Sequence, residues 1–264
     1  MPEQRLTFVH ISDTHISPDM EYGKHHAPYS TQTGARALVR AVNALPFNVD
    51  FILHTGDVVY DPVPEAYLTA KDILSELARP VYYLAGNHDK ADALQSVLLG
   101  RADILEPFYY TFDANGFQIV CMDSNGPAEV PRGNVISQQL EWLDTICSAK
   151  DERPLVVAIH HNALPVGSPW LDDYMRITNG ATLHQVLLKA KDRLRGVFFG
   201  HVHQNIQMYQ DGILYTSALS SWNQFMSWPE SMDTVADEFS LPGFNVVSMS
   251  PTQTFIRRWG FKVE

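Results

Sequence analysis

LTFVHISDTH, residues 6–15, decides how the chain is read. LTFVHI is apolar, β-branched and aromatic, the composition of a buried strand. Asp13-Thr14-His15 then sets a carboxylate and an imidazole just beyond that strand's carboxyl end. The arrangement recurs four times. FILHT (51–55) runs into Gly56-Asp57, and VYYLA (81–85) into Gly86-Asn87-His88-Asp89. LVVAI (155–159) runs into His160-His161, and GVFF (196–199) into Gly200-His201-Val202-His203. A sixth run, FQIVCM (117–122), also has the strand composition.

Helical periodicity between these runs predicts helices over 33–45, 65–78, 137–150 and 182–194. Strands alternating with helices imply an α/β layered domain. Sites in such domains gather outside the carboxyl ends of the strands. After Gly200 the alternation stops. Segments 206–209, 213–216, 244–249 and 254–259 read as strands, with Asp211-Gly212 a hairpin turn between the first two. Residues 220–242 are aromatic-rich and weakly periodic, and read as a long loop with one short helical turn. No composition break marks a boundary, so a single domain over 1–264 is expected.

With 45% hydrophobic and 19% charged residues, the chain can bury a large core. A net charge of −11 argues against extended nucleic acid as a partner, which would need a basic stripe. A small phosphate substrate is compatible with it, because bound divalent cations can supply positive charge locally. Cys121 lies in a strand-like run and Cys147 in a helix-like one, so two buried free thiols are expected. The N-terminus lacks a basic, then apolar leader, and no apolar run is long enough to span a bilayer. These features lead us to expect a cytoplasmic protein with no membrane partner.

Taken singly, Asp-x-His, Gly-Asp or His-x-His is most often an ordinary turn or surface pair. Five of them at five strand ends point to a site. Carboxylate, imidazole and amide oxygen suit Mn, Fe, Co or Zn, and the absence of thiolates argues against a structural zinc. Seven candidates, Asp13, His15, Asp57, Asn87, His160, His201 and His203, exceed one tetrahedral site. They suit two divalent ions sharing a carboxylate; such a pair, about 3.5–4 Å apart, binds a phosphoryl group and generates hydroxide.

In the ordered set D-x-H, G-D, G-N-H-D, H and G-H-x-H, between residues 13 and 203, the chain resembles the calcineurin-like metallophosphoesterase superfamily. The resemblance implies an α/β, four-layer αββα sandwich of two mixed sheets flanked by helices. It implies one ion on Asp13, His15, Asp57 and His203, and a second on Asp57, Asn87, His160 and His201, with Asp57 bridging. It also implies attack by a metal-bound hydroxide, with no covalent enzyme intermediate. His88 would contact the phosphate or protonate the leaving oxygen, and Asp89 would orient His88. Segments 165–187, 200–205 and 241–249 are similar to bacterial class III cyclic nucleotide phosphodiesterases, with broad-specificity glycerophosphodiesterases as near relatives. One turn departs from the family, whose proline usually comes soon after the histidine pair; here Asn162-Ala163-Leu164 intervene before Pro165. His160, the first residue past its strand, is the expected ligand and His161 the alternative.

The expected activity is hydrolysis of small phosphodiesters, 3′,5′-cyclic nucleotides ahead of glycerophosphodiesters or phosphomonoesters. A catalytically silent metal-binding scaffold is disfavoured by the complete ligand set. His10, His54 and His184 read as structural; the loop of His25 and His26 could overhang the site, and its role is left open. The aromatics of 222–228 read first as packing surface, which leaves room for a homodimer.

Overall fold

The computed structural model describes residues 5–264. The chain begins with β1 (Leu6–Ile11), α1 (Thr31–Asn43), β2 (Phe51–His54), α2 (Pro64–Leu74) and β3 (Val81–Tyr83). A short helix, α3 (Ala91–Ala93), continues as a π-helical turn over Leu94–Leu98. There follow β4 (Tyr110–Ala114), β5 (Phe117–Cys121), α4 (Ser137–Ser148), β6 (Leu155–Ala158), α5 (Pro169–Tyr174), α6 (Gly180–Leu188) and β7 (Leu194–Phe199). The remainder is strand: β8 (Gln207–Gln210), β9 (Ile213–Ser217), β10 (Phe225–Met226), β11 (Val235–Ala236), β12 (Gly243–Met249) and β13 (Thr254–Gly260).

Two large mixed sheets result, ordered β13-β12-β1-β2-β3 and β4-β5-β6-β7-β9-β8. The strands that carry the polar tails, β1-β2-β3 and β6-β7, run parallel within their sheets. Parallel strands covered on both faces need apolar residues on both, and β1 supplies them. Leu6 and Phe8 face the second sheet, while Val9 and Ile11 face the helices. Phe8 stacks on Phe51 at 5.0 Å and meets Phe198 of the other sheet edge-on at 5.2 Å. Full burial of one such side chain contributes about 1.5–3 kcal/mol. α1 and α2 cover the outer face of the first sheet, and α4 to α6 that of the second. The fold is therefore the expected four-layer αββα sandwich.

Several boundaries differ from the sequence reading for local reasons. α1 starts at Thr31 because Ser30 caps it, its Oγ accepting from the Thr33 amide at 3.2 Å. α6 stops at Leu188, and Leu194 instead opens β7 opposite Leu155; strand pairing overrides helical spacing there. β4, which the sequence reading omitted, is an edge strand joined to β5 through Asn115-Gly116, both at positive φ (48° and 79°). Residues 220–242 hold a small hairpin, β10 with β11, in place of the expected helical turn. Asp211-Gly212 does form the β8–β9 turn, and Cys121 and Cys147 are buried free thiols. Among the described residues, no helix is long and apolar enough to cross a membrane.

α1 is seated directly on the segment that later frames the site. A Cβ at Gly34 would fall 2.3 Å from the Ser221 carbonyl oxygen, so main chain meets main chain there. Gly34→Ala is expected to cost about 1–3 kcal/mol through overpacking, read as a lowered midpoint in chemical denaturation.

Candidate metal centre

The structure brings the seven candidate ligands together at the carboxyl edge of both sheets. His15 Nε2 lies 3.0 Å from His203 Nε2, and His203 Nε2 lies 3.6 Å from Asp13 Oδ1. Asp57 Oδ2 lies 3.6 Å from His15 Nε2 and 3.4 Å from His160 Nε2. His160 Nε2 in turn lies 3.1 Å from Asn87 Oδ1. The ligand-type atoms of Asp13, His15 and His203 fall within 4.8 Å of one another, as do those of His160, His161 and His201. All but Asn87 are buried.

The backbone that delivers them is unusual. Asp13, His15, Asp57, His201 and His203 all take positive φ, between 45° and 69°. Non-glycine residues adopt this left-handed region rarely, and it collects at functional sites. Cross-bonds between the turns hold it: the amides of Asp13 and His15 donate to the carbonyls of Gly56 and Asp57, each at 3.0 Å. The His201 amide reaches both carboxylate oxygens of Asp13 at 3.0 Å, and the His88 amide donates to Asp57 Oδ1 at 2.9 Å. Gly86 is required where these turns touch, since a Cβ there would lie 2.1 Å from Asp57 Oδ1.

Hydrogen bonds at the far side of the imidazoles assign their tautomers. His160 donates Nδ1–H to the Thr55 carbonyl (2.7 Å), so Nε2 is the nitrogen that faces Asp57 and Asn87. His203 donates Nδ1–H to the Asn223 carbonyl (2.9 Å), leaving Nε2 toward His15 and Asp13. His201 donates Nε2–H to the Met175 carbonyl (3.0 Å), and its buried Nδ1 has no hydrogen-bond partner among the described residues. Carbonyl-anchored imidazoles of this kind are the usual support of metal ligands. His161 differs from its neighbour. Its Nε2–H donates to the Pro131 carbonyl (3.0 Å) and its Nδ1 accepts from Ser124 Oγ (2.7 Å), so both nitrogens are engaged.

Burial holds His15 and His201 well below the ordinary imidazole range and His161 at about 3, so these rings are neutral. Burial would also lower His160, but the Asp57 charge beside it, with that of Asp13, raises it to about 9. Burial opposes ionisation of Asp57 as well, yet the nearby imidazoles, His160 foremost, hold its carboxyl well below the usual range. A cation is thus favoured beside Asp57. Neutral imidazole lone pairs and carboxylates converging in a buried cluster fit divalent metal ions.

Asp89 does not orient His88. His88 Nδ1–H donates to the Tyr60 carbonyl at 2.8 Å. The Asp89 carboxylate instead accepts from the amides of Gly86, Val58 and Val59 at 3.0, 3.0 and 3.2 Å. It clamps the turn after β3 onto the turn after β2, because a carboxylate is well matched to a nest of backbone N–H groups. The histidines read as structural are so: His10 bonds Thr55 Oγ1, His54 bonds Thr14 Oγ1, and His184 bonds the Tyr215 hydroxyl and Asp211. Aromatics read from the sequence first as packing surface complete the site. Phe225 stacks on His203 at 4.4 Å, and Trp222 packs against His15 at 5.6 Å. With Tyr60 and His26 they wall a pocket of about 260 Å³ whose floor is formed by His15, Asp57, Asn87 and His203.

A buried centre of carboxylates and neutral imidazoles on the edge of an αββα sandwich defines a metal-dependent hydrolase. The chain belongs to the calcineurin-like phosphoesterase family, whose profile matches residues 6–205. It is 30% identical over 239 residues to the 3′,5′-cyclic adenosine monophosphate phosphodiesterase CpdA of Pseudomonas aeruginosa, spanning 90% of this chain and 84% of that protein. It is 28% identical over 260 residues to a 3′,5′-cyclic-nucleotide phosphodiesterase of Nostoc sp., spanning 98% and 92%. Among solved structures, a dimetal phosphatase from Danio rerio shares the fold with a TM-score of 0.67 at 16% identity, spanning 97% of this chain and 99% of that one.

If Asp89 is a clamp, Asp89→Ala should act on stability first. Each buried amide it strands costs about 1–3 kcal/mol, so the denaturation midpoint should fall steeply. His88→Ala, which strands one exposed-side carbonyl, should leave that midpoint nearly unchanged.

Proposed function

We propose that this chain is a dinuclear metal-dependent phosphodiesterase acting on small phosphodiesters, with 3′,5′-cyclic nucleotides as its leading substrates. The position of Asp57 carries this reading: its Oδ2 faces His15 Nε2 in one half of the cluster and His160 Nε2 in the other, at 3.6 and 3.4 Å. One carboxylate that addresses both halves suits a bridge between two ions. The likeness to cyclic nucleotide phosphodiesterases along most of the chain supports the choice of substrate.

Asp13, His15, Asp57 and His203 would hold one ion, and Asp57, Asn87, His160 and His201 the other, drawn from Mn, Fe, Zn or Co. His160 is taken as the ligand because His161 has no ring nitrogen to spare. When bound, divalent ions stabilise charge on phosphoryl oxygens and lower the pKa of water. The remaining tasks fall to the chain itself. His88, with Nδ1–H engaged by Tyr60, has Nε2 left for the pocket, and in its doubly protonated form it hands the Nε2 proton to the departing alcohol oxygen and remains as the neutral ring. Trp222 and Phe225 shield the cluster from water and so keep its electrostatic interactions strong.

Three measurements test this. Asp57→Ala should lose both metals by elemental analysis, whereas His161→Gln should retain them; two ions held at normal affinity by the first variant would remove the bridge. His88→Ala should keep its metal content and lose about 10²–10⁴-fold in turnover, and unchanged turnover would take His88 out of the mechanism. Manganese-loaded enzyme should prefer bis-p-nitrophenyl phosphate to p-nitrophenyl phosphate, and cyclic AMP or cyclic GMP to glycerophosphocholine in kcat/KM. A strong preference for the monoester would sink the diesterase reading.

A further inference from the structure

Beside the metal pocket lies a groove of about 580 Å³ between residues 24–29 and 236–242. His26, Trp222, Asn223 and Ala236 line both, so the two cavities are immediate neighbours. Their sizes divide the work. The metal pocket, at about 260 Å³, falls below the roughly 300–1,000 Å³ of clefts that bury a drug-sized ligand, and the groove falls within that range. A phosphodiester with its reacting carbons fills the pocket. The bulk of a nucleotide has to leave it, and the groove is the neighbouring cavity past His26 and Trp222.

The groove's chemistry narrows what it takes. Lys24 stands on one wall and Asp237 and Glu238 on the other, so carboxylates outnumber the cation. A second phosphate would meet carboxylates, while an uncharged polar group meets donors and acceptors on both sides. Trp222 is fixed in place. Its Nε1–H donates to the Gly23 carbonyl at 3.0 Å, and the Trp222 carbonyl accepts from the Tyr29 hydroxyl at 2.8 Å. The loop carrying His26 is thereby held against the cluster, with the exposed His26 ring 5.6 Å from that of Trp222. We infer that this groove is the nucleoside subsite, with His26 supplying the ring on which the base stacks where pocket and groove join. The inference rests on the phosphodiesterase reading above.

The test compares metal-loaded wild type, His26→Ala and Leu241→Trp on cyclic AMP and on methyl p-nitrophenyl phosphate, a diester with no nucleoside. Leu241 lines the groove at 49% exposure, so a larger ring there obstructs the groove without entering the core. KM for cyclic AMP should rise about threefold to tenfold in each variant, and Leu241→Trp, outside the metal pocket, should turn over the small diester as wild type does. Equal losses on both substrates, or an unchanged KM for cyclic AMP, overturn the subsite. Wild type that cleaves the small diester but no cyclic AMP overturns the cyclic-nucleotide reading itself, a distinct result. A readout without turnover is saturation-transfer NMR of cyclic AMP with the metal-free chain. The adenine protons should receive saturation from wild type and lose it with His26→Ala; no transfer from wild type also overturns the subsite.

Discussion

Five of the seven candidate ligands hold a left-handed backbone, and the rest of the structure is arranged around keeping them there. Each such residue carries a strain of order 1–3 kcal/mol, which persists only where the surroundings over-determine it. Here they do, because the turns after β1, β2 and β7 bind one another before they bind anything else. Asp13 illustrates the economy of it: its amide is donated to Gly56, its carboxylate accepts the His201 amide, and its carbonyl accepts Ser220 Oγ. The same carboxylate faces His203. A substitution at one turn is therefore felt at the others, because coordination geometry and main-chain geometry share their atoms.

The imidazoles are braced from behind by main chain drawn from distant parts of the fold. Thr55 serves His160, Tyr60 serves His88, Met175 serves His201 and Asn223 serves His203. Thr55 also ties the centre to the layer between the sheets, since its Oγ1 bonds His10, whose Nδ1 accepts from Asn245 at 3.4 Å. Asn245 in turn receives the Asn205 amide at 2.7 Å, from the loop that carries His201 and His203. Burial pushes His10 down to about 3, so it is a neutral link in this string and adds no charge to the core. The long connections before α1 and after β9 are therefore walls of the site, fastened through Trp222 and Asn223.

The sequence made legible what depends on period and adjacency. Strands β1, β2, β3, β6 and β7 were readable because each is a continuous apolar run, and the polar tail follows by chain connectivity alone. What involved partners far along the chain was not readable. Any residue offers a carbonyl, so nothing in the identity of Met175 or Tyr60 announces the imidazole it supports. His161 could be told from His160 only by Ser124 and Pro131, some thirty residues away. Asp89 was assigned to His88 through the resemblance and their adjacency, yet its carboxylate turns to the loop after β2. β4 was a different kind of omission: its Asn115-Gly116 turn is as plain a hairpin signal as Asp211-Gly212, but the strand before it is half exposed and short of apolar residues. The two-residue strands β10 and β11 are too short to show a period at all.

Charge poses the remaining question, because a chain of net charge −11 has to bind an anionic diester. Distance and dielectric decide it. Surface carboxylates act through water, where the Debye length is about 8 Å at physiological ionic strength, so most of them are screened from a phosphate in the pocket. The cluster acts at contact distance in a buried site, where one unit charge at 4 Å is worth several times its value in water. A net negative charge and a cation-holding centre are thus compatible. Within the pocket Asp13 and Asp57 are turned toward imidazoles and backbone amides. Their charge would serve to hold cations there.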